Sequence, residues 1–474
     1  MKRILLSVAA SSLFLAGSLS AQGLNVNTDP TGHTRFWDYY TPNPSNYIGS
    51  KSWWEGETLT GDWWGIRNAF DDNGVEFVLN YTTNLAGNPV GGMSQGFTYT
   101  DNIYFGAQLD LEKLVGWRGA LLTVSGLDRN GTSLSQQNIG NQFTVQQIYG
   151  GQTAMFYALI LEQKFWEDKA DLKIGRFATG DDFASSPIYW LYMNNGIDGN
   201  PQALPVNTSF SAYPWAVWAA RLKVTPTKET SAMFGLYQAS DRIFNRNYHG
   251  MDWSIRGNDG LLMISQLGWN PEFFKREVPA DAPKSDGKQV AIAGKTAKSF
   301  KEPVTAGEMK GLPGHYWFGA YYSTLQYNQF DGGSAGNSYG FYWHADQMVF
   351  QEGPGSDQGL TLWSAFVLSP QQNISKLPFQ VNGGIIYKGL IPTRDNDFSI
   401  FGIVYGNFSN DYANAQSAAQ LGSPSYEAVF EWAYRVQVNQ FLYVQPDVQW
   451  VVNPGGTGNI PNALVLGAQI GVTF

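Results

Sequence analysis

The sequence predicts an all-β fold: a transmembrane antiparallel β-barrel with a short N-terminal helix and a long lysine-rich loop. Three observations carry that prediction. Apolar and polar residues alternate along runs long enough to cross a bilayer as tilted strands, which takes about 9–11 residues. Charged residues make up only 15% of the chain while aromatics also reach 15%, a balance suited to a lipid-facing surface with rings at its interfaces. There is no cysteine, so a closed sheet of main-chain hydrogen bonds has to hold the exported chain together without disulfides.

At the N-terminus, Lys2 and Arg3 precede a short apolar run from Ile4 to Leu15, and small residues follow at Gly17, Ser18, Ser20 and Ala21. That is the layout of a cleavable secretory signal over residues 1–21. The run falls short of the roughly 20 apolar residues that a membrane-spanning helix needs. Residues 22–56 form an aromatic-rich segment, and the barrel is expected to occupy 57–474. Asp62 then reads as an N-cap for a helix over Trp63 to Asp72, ended by Asn73-Gly74.

The strand pattern follows. In a strand, successive side chains point to opposite faces. Val75, Phe77, Leu79 and Tyr81 oppose Glu76, Asn80 and Thr82; Ile103, Phe105, Ala107, Leu109 and Leu111 oppose Tyr104, Gln108 and Asp110. Tyr157, Leu159 and Leu161 share a face against Glu162 and Lys164. Trp218, Ala220, Leu222 and Val224 oppose Arg221 and Lys223. Turn signals such as Asp72-Asn73-Gly74, Asp331-Gly332-Gly333 and Pro454-Gly455-Gly456 break the runs. Residues 271–313 carry eight Lys or Arg and five Pro without sustained alternation, which predicts a long loop between strands.

Alternation is clearest near the C-terminus. Tyr426, Phe430, Trp432, Tyr434 and Val436 oppose Glu427, Glu431, Arg435 and Gln437. Leu442, Val444, Val448 and Trp450 oppose Tyr443, Gln445, Asp447 and Gln449. Leu464, Leu466, Ala468, Ile470, Val472 and Phe474 face away from Gly467, Gln469, Gly471 and Thr473. A soluble sandwich also alternates, but its strands are usually about five or six residues long.

Motifs for other chemistry fail on context. Gly92-Met93-Ser94-Gln95-Gly96 matches a nucleophile elbow, yet glycines precede it and a strand-like run follows instead of a helix. Gly294-Lys295-Thr296 lacks the glycine of a phosphate loop, because Gln289 stands there. His33, His249, His315 and His344 are scattered without metal-ligand spacing, so no metal, cofactor or catalytic group is expected. The net charge of −9 argues against a nucleic-acid partner.

Several ordered motifs resemble the carbohydrate-selective porins of the OprB type. They include Leu59-Thr60-Gly61-Asp62-Trp63 with Gly65-Ile66-Arg67, and Leu109 through Gly119. Leu172-Lys173-Ile174-Gly175-Arg176, Val444 through Gln449, and Asn453-Pro454-Gly455-Gly456 continue the likeness. It covers most of 57–226 and 426–474; Trp64 and Arg176 depart from the usual glycine and glutamine. The resemblance implies sixteen strands, an outer-membrane location and passage of small, glucose-like sugars. It also implies that the aromatic end at Phe474 addresses the barrel-insertion machinery.

By alternation, the lumen candidates are Asp110, Glu162, Arg221, Lys223, Glu431, Arg435, Tyr443, Asp447 and Gln449. Each either meets a permeant or pairs across strands as part of the wall. A general or anion-preferring pore, or a secreted glycan-binding β-protein, stays open as an alternative at this level.

Overall fold

The structure, a computed structural model, describes residues 52–279 and 307–474. The expected signal segment, and residues 22–51 of the aromatic-rich segment, lie outside the described residues. Sixteen strands form one wall. They are β1 (Val75–Val90), β2 (Phe97–Asp110), β3 (Ala120–Gly131), β4 (Thr153–Phe165), β5 (Ala170–Phe177), β6 (Val217–Val224), β7 (Thr230–Ala239) and β8 (Gly260–Trp269). The second half comprises β9 (Met309–Ser323), β10 (Ser338–Gln351), β11 (Gly359–Leu368), β12 (Phe379–Lys388), β13 (Phe398–Asn407), β14 (Tyr426–Gln437), β15 (Leu442–Val452) and β16 (Ala463–Thr473).

Each strand pairs antiparallel with its chain neighbours, and β1 pairs with β16 from Asn80↔Thr473 to Gly87↔Leu466, which closes the barrel. Closure leaves no unpaired sheet edge, as a wall in hydrocarbon requires. The side-chain parity read from the sequence holds across most of the wall. Leu466 and Leu267 are 50% and 65% exposed on the outer face, while Gln469 and Gln266 point inward and are buried. Connections at one end are short, such as 166–169 and 438–441, apart from 270–308, and those at the other include the long 132–152, 178–216 and 240–259. In outer-membrane barrels the short turns face the periplasm and the long loops face outward.

Register shifts break simple parity at Gly87–Val90 of β1, at Met348–Phe350 of β10 and in β4. Ser125 pairs with Ala158 and the next position, Gly126, pairs with Phe156, so Tyr157 is the extra residue of a β-bulge in β4. A bulge re-aims a side chain. Tyr157 therefore points into the barrel and is buried, apart from the outward Leu159 and Leu161 with which strict alternation groups it.

The N-terminal helix is shorter than its sequence signal. The Asp62 carboxylate accepts from Trp64 N at 3.0 Å and caps a single turn, Trp63–Gly65. Positive φ at Trp64 (57°) and Gly65 (91°) then breaks the path, and the helix proper, α1, spans Ile66–Asp72. The expected loop over 271–313 is also narrower. Glu272–Glu277 is a strand that pairs with the start of β9, with Met309 opposite Glu277 and Lys310 opposite Arg276. Residues 280–306 lie outside the described residues.

The segment around α1 fastens the seam between β1 and β16. Leu59 N donates to Thr473 O at 2.8 Å, and Phe474 N donates to Leu79 O at 2.8 Å. Arg67 donates to Phe474 O at 2.9 Å and to Phe77 O at 3.1 Å. Hydrogen bonds from a charged group contribute about 1.5–3 kcal/mol. Arg67→Ala is therefore expected to lower the temperature at which the folded band is lost on unboiled gels by several degrees. Arg67→Lys, which keeps one donor, should fall between the two.

Candidate functional site

Two connections turn into the barrel. Residues 132–152, between β3 and β4, and 178–216, between β5 and β6, carry Phe143, Val145, Phe183, Tyr189, Tyr192, Met193, Ile197 and Leu204, all fully buried. They are neither strand nor surface loop. Buried main-chain N–H and C=O groups must find partners, and the inner faces of the opposite strands supply them.

On β14, the Glu431 carboxylate accepts from Met193 N at 2.6 Å and Asn194 N at 3.1 Å. One turn of pleat away, Glu427 accepts from Gln142 N, Phe143 N and Gly455 N, each at 2.7 Å. Arg435 donates to Trp190 O at 2.7 Å and to Gln445 Oε1 at 2.6 Å, with its guanidinium 4.2 Å from the Tyr443 ring centroid. On β15, Gln449 donates to Val145 O at 3.0 Å and to Asp447 Oδ1 at 2.9 Å, and it accepts from Asn194 Nδ2. The Tyr443 hydroxyl accepts from Gln469 at 2.9 Å. On β12, Gln380 accepts from Ala203 N at 2.6 Å. From β10, His344 meets the Tyr189 hydroxyl at 2.8 Å.

Close packing on this side also selects glycine. A Cβ on Gly471 would lie 2.1 Å from the Tyr443 ring, and one on Gly402 would lie 2.4 Å from the Tyr192 ring. Glu431, Arg435, Tyr443, Asp447 and Gln449 thus come together as the alternation predicts, each no more than 2% exposed. Their polar atoms hold the inserted chain and one another.

The face of β2 to β6 is different. Arg221 pairs with Asp171 at 3.1 Å and Asp182 at 3.3 Å, with Glu162 at 4.0 Å; Lys173 pairs with Asp182 at 3.0 Å. The side chains of Glu162, Asp171 and Asp182 keep 24%, 19% and 13% exposure, so this network borders open space where the β14 cluster does not. Lys223 stands opposite Asp171 in the β5–β6 register. Above the charges lie three phenol rings. Tyr157 and Tyr213 meet edge to face at 4.9 Å, and Tyr104 lies 6.4 Å from each. The Tyr157 hydroxyl donates to Asp181 at 2.7 Å, and Tyr213 donates to Asn102 at 2.9 Å under the Arg129 guanidinium. Asp110 stands apart: it ends β2 and caps the short helix Leu111–Val115, accepting from Glu112 N at 3.0 Å.

Sequence reasoning missed Glu427, Lys173, Asp182, Arg129, Tyr104, Tyr157 and Tyr213 as site residues. Tyr157 was hidden by the bulge. Asp182 and Tyr213 lie in a 39-residue connection, 178–216, whose lack of alternation was the available signal. Among the described residues no group of His, Cys, Asp and Glu could hold a metal.

Residues 94–474 match the family described as carbohydrate-selective porin, OprB family. Porin B of Pseudomonas aeruginosa is 26% identical over 451 residues, covering 88% of this chain and 91% of the relative. Putative porin QuiX of Acinetobacter baylyi is 22% identical, covering 88% of this chain and 93% of its own. A high-pH structure of Pseudomonas putida OprB superposes with a TM-score of 0.77 at 25% identity, covering 90% of this chain and all of that one.

Proposed function

The chain belongs to the carbohydrate-selective porins of the OprB family, and from that premise we propose that small, glucose-like sugars cross it along the inner face of β2 to β6. It is a sugar-selective diffusion channel of the outer membrane. Its work is to replace water around a permeant with groups that bind weakly enough to release it. A sugar offers hydroxyls around its edge and C–H groups on its faces. Tyr104 and Tyr213, both half-buried, supply ring surface for the faces, with the buried Tyr157 packed against each of them. Lys173, Asp182, Arg221 and Glu162 supply donors and acceptors for the edge.

The observation that carries this reading is the contrast in exposure between the two inner faces. The β14–β15 cluster is closed over by inserted chain, whereas the carboxylates of the β4–β6 network, Glu162, Asp171 and Asp182, keep solvent contact around a buried Arg221 and Lys173. Alternating signs along that network suit a neutral polyol, because neither a cation nor an anion meets a face of one charge. Residues 1–21 act as the export signal, 57–474 as the channel, and Phe474 as the end read by the insertion machinery.

The test is liposome swelling with glucose against an amino acid of similar size. Glucose is expected to enter several-fold faster, and equal rates would reduce the protein to a general pore. Tyr213→Ala should cut the glucose rate while leaving the amino-acid rate within twofold. Loss of both rates together would assign Tyr213 a packing role instead.

A further inference from the structure

β5 stops at Phe177, where the chain dives into the lumen, while β4 runs on to Thr153. The last paired position between them is Leu159↔Arg176, so Thr153–Phe156 extend past their neighbour and leave a notch at the long-loop end of the wall. The connection between β7 and β8, residues 240–259, fills it. Phe156 N donates to His249 O at 2.9 Å, and the His249 ring meets Ala154 O at 2.8 Å. That pairing puts the loop backbone in the plane of the barrel wall, giving it an inner and an outer side.

The outer side is continuous with the lipid-facing belt. Arg176 and Trp218 pair across β5 and β6 in the same parity as Ile174 and Leu222, which are exposed on the outside. Arg176 is nevertheless buried, because the loop covers it. It donates to Asp252 O at 3.1 Å, its guanidinium lies 5.5 Å from the Trp253 ring, and Trp218 Nε1 donates to Trp253 O at 2.9 Å. Beyond this cover the loop presents Met251 and Ile255, 59% and 73% exposed, beside a half-exposed Arg256. The acids are less exposed, and Asp252 also pairs with Arg256 at 3.5 Å. Asp252 and Asp259 both bind Arg242, and although burial opposes it, hydrogen bonds from Arg242, Arg256 N and Gln238 hold Asp259 down at about 2.

We propose that residues 249–256 form a membrane-contact patch that closes this notch, with Met251 and Ile255 at the acyl boundary and Arg256 on phosphate-bearing lipid headgroups. Two features support that occupant: the patch continues the lipid-facing wall, and its most exposed charged side chain is a cation, Arg256 at 48% against its partner Asp252 at 18%. Aromatic side chains such as Trp218 and Trp253 are favoured at that depth of the bilayer. A basic side chain at an anionic membrane surface is attracted to it over about a Debye length.

The absence of cysteine makes single spin labels clean reporters. Full-length protein with Ile255→Cys, Leu267→Cys or Leu421→Cys would be labelled in phosphatidylcholine vesicles containing phosphatidylglycerol. Collision with oxygen is then compared with collision with a water-soluble nickel complex. Leu267 marks the lipid belt, and Leu421 is an exposed position on another long loop. The Ile255 label is expected to favour oxygen, within about twofold of the Leu267 label and at least fivefold above the Leu421 label. If it matches Leu421, the proposal is overturned. If the Leu267 label is itself aqueous, the membrane barrel fails first. In a second arm, Arg256→Gln should reduce the phosphatidylglycerol retained on detergent extraction at least threefold, with inorganic phosphate failing to displace it. Unchanged retention, or displacement by free phosphate, would overturn the headgroup contact.

Discussion

Glu431→Leu is expected to widen the channel and abolish its discrimination between glucose and an amino acid of similar size. The carboxylate is fully buried and accepts from two consecutive main-chain N–H groups, Met193 and Asn194, of the inserted segment. Leucine keeps much of the volume but accepts nothing. A buried donor left without a partner costs about 1–3 kcal/mol, so two of them cost about 2–6 kcal/mol. Water or displacement of the segment relieves part of that, and both enlarge the lumen. Single-channel conductance should at least double, and swelling by the amino acid should approach that by glucose. Glu431→Gln, which retains one acceptor, should give a smaller change of the same kind. Conductance and selectivity equal to the unmodified channel would show that Glu431 does not hold the segment. The residue acts through position: it sets where the inserted chain lies.

Leu466→Arg is expected to impair insertion more than any change on the inner face of the same strand. Leu466 is half exposed on the outer surface of β16, opposite Gly87 of β1 and Val448 of β15. An arginine near the bilayer midplane of such a barrel costs about 2–4 kcal/mol. Thr473→Val serves as the comparison, since Thr473 faces inward and loses only its bond to Asn80 at 2.9 Å. The measurement is the fraction of heat-modifiable protein after folding into vesicles. Comparable yields for the two variants would reverse the assignment of faces. The same experiment tests the wall as a whole, because the strands share one parity rule apart from local shifts at Tyr157, at Gly87–Val90 and at Met348–Phe350.

Much of the wall was legible in the residues. Leu466 and Gln469 on one strand, or Trp432 and Glu431 on another, differ by polarity at odd spacing. A strand exposes alternate residues to different solvents, so the face follows from the letters alone. Arg221 and Glu162 were read the same way and lie 4.0 Å apart in one ion-pair network. Less legible was α1, where the Asp62 cap is real but the left-handed Gly65 delays the helix by a turn. Asp110 shows the limit at a strand end: it has inward parity, yet its carboxylate is taken by the first N–H groups of a turn.

Alternation, composition and the ordered motifs determined a closed membrane wall and which side of it each residue meets, because those follow from local geometry and from two contrasting solvents. Only the tertiary structure decided what fills the interior. Arg435 and Arg221 carry the same signal in the chain, but Arg435 binds the carbonyl of Trp190, 245 positions away, while Arg221 joins a partly open charge network. Parity says that a side chain points inward. Whether it meets water, sugar or more protein depends on contacts between segments hundreds of residues apart, and no local pattern encodes those.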